Sequence, residues 1–458
     1  MKRILLIAAA LTVVYSAGAQ TIGDKELKAI QESYVQDSPT KAIHNALVGD
    51  KNIKSHVMDY DVANAIDHNF KYRVNVKGIT NQLSSGRCWM FTSMNVLRPG
   101  VIKQFDLKEF DFSHNFCFFW DQFEKANLFL ENVIATADRP MTDRDVAHFF
   151  GAPVSDGGVW NLFWDVAEKY GVVPDSVMPE TEHSNNTSQM RGVLNELLRS
   201  KGWKIREAIA GGASKKAVEA QKIDALKEVY RVLALCLGVP PTEFTWKYKD
   251  AKGEVKTLTT TPKDFYKSIV PENYNPDTYV MIMNDPTREY YKVYEIAEYR
   301  NTYEGINWIY LNLPNEEIKP CALASIKADT PMYVSCDVGK QSDTKKGVMD
   351  MGLYDYESLF GVDMTMDKKA RILTHQSGST HAMTLIGCDT DENDVPVKWE
   401  FENSWGASSG HNGYLTFTDR WFDEYLFRIV IEKKYLSDKA LKALKTKPVQ
   451  LPAWDYMF

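Results

Sequence analysis

Residues 82–89 read Gln-Leu-Ser-Ser-Gly-Arg-Cys-Trp, and the decisive pair in that stretch is Gln82 and Cys88. Ser84-Ser85-Gly86 has turn chemistry, and the apolar run from Cys88 to Leu97 reads as a buried helix. Cys88 then stands at a helix N-terminus, where the backbone dipole favours a thiolate over a thiol. The sequence predicts that Arg98-Pro99-Gly100 stops this helix. Gly86 beside the thiol allows close approach of another backbone. A nucleophilic thiol needs a base, the base needs an orienter, and a developing oxyanion needs donors. Gln82 offers a side-chain amide for the last role, beside the backbone N–H of Cys88.

The remaining parts lie far downstream. His381 heads an apolar segment after Thr380, and Asn403 lies in Glu402-Asn403-Ser404-Trp405-Gly406. We expect His381 to act as the base, Asn403 to fix its ring, and Trp405 to shield that bond from water. A thiolate–imidazolium pair would then keep Cys88 ionised near neutral pH. Gly157-Gly158 opens a further helix ending near Tyr170, and offers a bare backbone edge to an extended peptide. Structural readings compete at each position: a buried thiol, a core histidine, a turn asparagine, an ordinary glycine turn.

Composition sets the outer bounds. A chain of 458 residues with 44% hydrophobic and 25% charged residues has the make-up of a globular protein. A net charge of −7 argues against nucleic acid as the main partner. The six cysteines include no CxxC pair, and no HExxH occurs, so neither a metal nor a cofactor is expected. Lys2-Arg3, the apolar stretch Ile4 to Tyr15 and Ala17-Gly18-Ala19 read as a signal peptide cleaved after Ala19. That stretch is short of the roughly 20 residues that span a bilayer. The expected destination is periplasmic or secreted, with no membrane attachment after cleavage.

Helical patterns dominate the first half, including a block from Ser188 to Leu237 broken at Gly211-Gly212. Strands are expected at 381–387, 397–402, 413–418 and 427–432. Helices first and strands last predict an α+β fold, a helical half facing a β half across a cleft.

Several longer stretches resemble bleomycin hydrolase and bacterial aminopeptidase C, a branch of the papain-like cysteine peptidases. They are Gln82 to Trp89, Phe118 to Asn127, Lys169 to Pro174, Met178 to Thr181, Cys336 to Lys340, Glu402 to Gly406 and Leu451 to Asp455. The resemblance implies a papain-like fold with a β-barrel-like second half and a large insertion. It implies Cys88, His381 and Asn403 as the triad, with Gln82 in the oxyanion hole. After the signal peptide (1–19), which departs from the resemblance, the chain divides into an N-terminal extension (20–75), a helical half (76–184), an insertion, helical then β-rich (185–320), a β half (321–446) and a C-terminal arm (447–458). The resemblance further implies a homohexamer acting on peptides, whose arm ends in the cleft and restricts cleavage to free N-termini. On that reading Gly157, Gly158, Trp405 and the terminal Phe458 contact substrate. With Ser85 in place of papain's disulfide cysteine, no core disulfide is expected. The arm is shorter than usual for this family, which leaves a cysteine endopeptidase of the same fold as the alternative. An acyltransferase would more often orient its histidine with aspartate, and a non-enzymatic binding protein is the remote remaining class.

Overall fold

The computed structural model describes residues 21–270 and 275–455. It divides into two compact units, one running to Met58 and including Tyr356–Val362, the other formed by Asp59–Asp355 and the chain from Asp363 onward. In the first unit, Ser38–Gly49 is a helix whose first turn is held by Asp37, which accepts from the Thr40 N–H at 2.8 Å. Helices also occupy Asp24–Ser33, Lys54–Val57 and Tyr356–Phe360.

The second unit is built on five principal helices and one long sheet. The helices are Cys88–Gln104, His114–Ala135, Trp160–Tyr170, Ser188–Ala210 and Lys215–Leu237. The last two flank the Gly211-Gly212 break that the sequence marks. Cys88–Gln104 has buried side chains on nearly every side, from Trp89 to Asn95 and again at Val101 and Ile102. A helix buried all round is a core element rather than a surface one.

This helix corrects the expected stop at Arg98-Pro99-Gly100: it passes through Pro99 and ends at Gln104. Proline removes one hydrogen bond from the ladder. Here tertiary contacts outweigh that loss, since Arg98 is fully buried in hydrogen bonds and the next turn inserts Val101 and Ile102 into the core.

Neighbouring strands in the main sheet run Val449–Leu451, Lys292–Ile296, Trp308–Asn312, Tyr279–Met283, Leu426–Glu432, Met332–Cys336, His381–Thr390, Pro396–Glu402, Tyr414–Thr418, Val348–Met349 and Ser342–Asp343. Tyr72–Arg73 also pairs with the His381 strand. The central strands are buried on both faces, as Leu426–Glu432 shows. The segment 185–320 supplies the two long helices, a separate hairpin of Phe244–Lys249 with Val255–Thr260, and three strands of this same sheet.

Two apolar cores result. One surrounds the helices and contains Trp89, Phe116, Phe118 and Trp160. The other lies against the sheet around Ile282, Val334, Trp399 and Phe401. Cys88 packs at the edge of the first core, and the helix it begins lies against the His381 strand.

Candidate active site

A cleft of about 430 Å³ is lined by Gln82, Cys88, Gly157, Gly158, His381 and Trp405, so residues from four distant stretches of sequence share one wall. Cys88 is the first residue of its helix, and His381 the first of its strand. Asn403 follows directly on the strand Pro396–Glu402, which pairs with the His381 strand. Adjacent strand ends thereby bring the imidazole and the amide together.

His381 Nε2 lies 2.8 Å from Asn403 Oδ1, and the Ser404 N–H donates to that same oxygen at 2.8 Å. The amide oxygen is fixed, so Nε2 is the nitrogen that carries hydrogen. Trp405 lies over the imidazole with ring centroids 4.7 Å apart.

Gln82 is held at both ends. Its Oε1 accepts from the Ser404 hydroxyl at 2.7 Å, and its Nε2 donates to the Ser85 carbonyl at 2.6 Å. Its backbone N–H also donates to the Ser404 carbonyl at 2.9 Å. Ser404 thus links Gln82 to Asn403, a role that the sequence hides behind an ordinary polar residue.

The cysteine loop has its own clamp, which sequence reasoning missed. Asp156 accepts from the Gly86 N–H at 2.7 Å, and from Thr187 and Arg191. Its backbone carbonyl accepts from the Trp89 indole at 2.8 Å. Burial pushes the Asp156 carboxyl up, but Thr187, the Gly86 N–H, Arg191 and Lys125 together outweigh it and hold the group below its ordinary value. A side chain on Gly86 would collide with this carboxylate at 2.6 Å. Arg87, fully buried, forms a fork with Glu180 at 3.1 and 2.8 Å, which anchors the loop from its other side.

The two glycines differ. A Cβ on Gly158 would sit 2.6 Å from the Trp89 ring, whereas one on Gly157 would meet nothing within 4 Å. Close packing accounts for the first, and the open cleft lies beside the second.

Burial governs the charges. It raises the Cys88 thiol, against which the backbone N–H groups of Ala382 and Trp89 and the nearby Arg428 lower it. It also pushes His381 down to about 4, with the Asn403 hydrogen bond acting in the opposite sense. Burial thus disfavours each charge taken singly.

Arg428 is the other residue that sequence reasoning passed over. It lines the same cleft from the strand Leu426–Glu432. A single cation within the apolar run Leu426 to Ile431 was the signal available. Phe458 and residues 1–19, expected to be a signal peptide, lie outside the described residues. The arm is described to Asp455, which accepts from Arg288, while Val449–Leu451 pairs in parallel with Lys292–Ile296.

Comparison with known proteins adds an independent line. A model of the peptidase C1-like family matches residues 21–458. Aminopeptidase C of Lactobacillus delbrueckii subsp. lactis is 37% identical over 86% of this chain and 88% of its own. Bleomycin hydrolase of Mus musculus is 38% identical over 85% of this chain and 88% of its own. The crystal structure of pepw from Lactobacillus rhamnosis HN001 superposes with a TM-score of 0.92 at 36% identity, covering 96% of this chain and 99% of that one.

Proposed function

Because the chain belongs to the peptidase C1-like family of papain-like cysteine peptidases, we propose that it is a thiol-dependent aminopeptidase in which Cys88, His381, Asn403 and Gln82 carry the chemistry. The observation that carries this reading is the 2.8 Å contact between His381 Nε2 and Asn403 Oδ1, in the cleft that Cys88 also lines. With Nε2 committed to Asn403, Nδ1 is the nitrogen left to exchange a proton with the thiol.

In the proposed reaction, the Cys88 proton passes to His381 and the sulfur attacks the substrate carbonyl carbon. The oxyanion is met by the Cys88 N–H and the Gln82 amide. Collapse breaks the C–N bond, and His381 gives its proton to the departing amine. Water then attacks the thioester with His381 as base, releasing the acid and restoring the thiol. The backbone at Gly157 offers an edge for an extended peptide.

The likeness to enzymes named aminopeptidase C supports restriction to free N-termini. The test offers the protein, under reducing conditions, one peptide with a free N-terminus and its N-acetylated twin. Stepwise release of residues from the free peptide alone, abolished by iodoacetamide, supports the aminopeptidase reading. Internal cleavage of both would make the protein an endopeptidase, and no thiol-dependent cleavage would overturn both readings.

Export after cleavage at Ala19 rests on the Lys2-Arg3 start and the apolar stretch behind it, and N-terminal sequencing of protein recovered outside the cytoplasm tests it. A homohexamer rests on the family likeness alone, and light scattering of the purified protein tests it.

A further inference from the structure

A second cavity, of about 570 Å³, shares no lining residue with the catalytic cleft. Its size falls within the roughly 300–1,000 Å³ of small-ligand sites. One wall is the segment 107–111, which follows the helix begun by Cys88. Another is the hairpin of Phe244–Lys249 with Val255–Thr260. Aromatic rings from both walls meet. Phe110 and Trp246 are buried edge to face with centroids 5.6 Å apart, and Tyr248 stacks on Trp246 at 4.3 Å. Rings that fix one another offer apolar surface at little cost in conformational freedom.

Charges of both signs line the same cavity without partners. The Asp111 carboxylate accepts the Phe112 N–H at 3.0 Å and nothing else among the described residues. Burial raises it to about 6, Asp175 and Glu180 push the same way, and Arg98 offsets them only in part. It is a carboxylate short of positive charge. Lys108 and Lys249 form no ion pair or side-chain hydrogen bond among the described residues. Asp250 is the contrasting case, saturated by Lys256 at 3.1 Å and by the N–H groups of Lys252 and Glu254. Arg98 also lines the cavity and is 1% exposed. Its terminal nitrogens are hydrogen-bonded, but Nε is buried without a partner among the described residues. A buried N–H of this kind calls for an acceptor.

We propose that this cavity is a binding site for a small zwitterion with an apolar side chain, the chemistry of an amino acid or a dipeptide. The ammonium of the ligand meets Asp111, its carboxylate meets the cations of the rim, and its side chain packs on Phe110 and Trp246. Hydrogen bonds between ionised partners are about twice as strong as neutral ones, so the two charged ends fix orientation while the rings supply burial. The site is separate from catalysis and does not depend on the peptidase reading.

The test is calorimetric titration of full-length protein, first alkylated with iodoacetamide so that no peptide is hydrolysed. The probes are phenylalanine and phenylalanylleucine, with phenylalaninamide, which lacks the carboxylate, and N-acetylphenylalanine, which lacks the ammonium. At least one zwitterion should saturate a single site, and each singly charged analogue should bind about tenfold more weakly or worse, the loss of roughly 1.4 kcal/mol. The tighter of the two zwitterions identifies the ligand as an amino acid or a dipeptide. Asp111→Asn should weaken the zwitterion and phenylalaninamide about tenfold and leave N-acetylphenylalanine unchanged. The analogue series on the unsubstituted protein stands as a test even where the variant does not fold. No saturable binding of either zwitterion, or equal binding of all the phenylalanine derivatives, would overturn the inference. Zwitterion binding undiminished in Asp111→Asn would place the ligand elsewhere and overturn it as well.

Discussion

Arg98 donates to Glu402 in an ion pair with both side chains buried, and so joins the helix that begins at Cys88 to the strand that ends one residue before Asn403. Arg98 also donates to Asn95 Oδ1 at 2.9 Å and to the Gly78 carbonyl at 3.1 Å. A buried pair of this kind adds little over an apolar substitute, but losing one partner strands the other charge. Arg98→Ala or Glu402→Ala should each destabilise the protein by about 3–5 kcal/mol, read by denaturant unfolding. A double replacement costing much less than the sum of the two would show the coupling directly.

The same pair predicts a pH dependence. Burial, only partly countered by Arg98, raises the Glu402 carboxyl to about 7. An acid whose folded pKa lies above its unfolded value favours the protonated folded form. Its stabilising contribution is full below the ordinary carboxylate range and is lost as pH rises through about 7. The midpoint of thermal unfolding should therefore fall across that window, and Glu402→Gln should flatten the slope. A slope unchanged in Glu402→Gln would assign the effect to other buried acids.

Asn403→Ala removes the contact that orients His381 and raises its proton affinity. A hydrogen bond to a charged group is worth roughly 1.5–3 kcal/mol, so kcat/KM should fall about tenfold to hundredfold, while unfolding shifts far less. Asn403→Asp would instead raise the imidazole further and move the acid limb of the pH–rate profile upward.

Burial raises the Cys88 thiol and lowers His381 to about 4, so the uncombined thiolate is disfavoured at neutral pH. The rate of iodoacetamide modification at Cys88 should keep climbing into the alkaline range. A plateau reached near pH 4 and held to alkaline pH would instead reveal a standing ion pair in the free enzyme.

Gly158→Ala and Gly157→Ala separate packing from recognition. The first forces a methyl group into the Trp89 ring and should cost about 1–3 kcal/mol of stability. The second meets no atom, so it should leave unfolding within about 0.5 kcal/mol. A raised KM in Gly157→Ala would then place bound peptide against that edge, and an unchanged KM would remove Gly157 from the binding surface.

The site residues that could be read in the sequence are those whose neighbours carry the signal. Cys88 has Gln82, Gly86 and Trp89 close in the chain, and Asn403 has Trp405. Their segments also obey local rules, as the break at Gly211-Gly212 and the strand at His381 do. What stayed hidden depends on partners that only folding selects. Arg98 and Glu402 lie 304 positions apart, and nothing near either names the other. Asp156 looks like a turn residue until Gly86, Thr187 and Arg191 converge on it. Pro99 carries a local stop signal that burial of the following turn overrides.

The place of Leu426–Glu432 in the sheet bears on how the chain is made. This strand lies between Tyr279–Met283 and Met332–Cys336, both of which leave the ribosome well before it. Until it arrives, the nascent chain holds two unclosed strand edges facing a gap at the centre of the sheet. Such edges recruit other chains. The interval between residue 336 and residue 432 is therefore where a translating ribosome would expose the protein most to aggregation, and where a chaperone would have the most to shield.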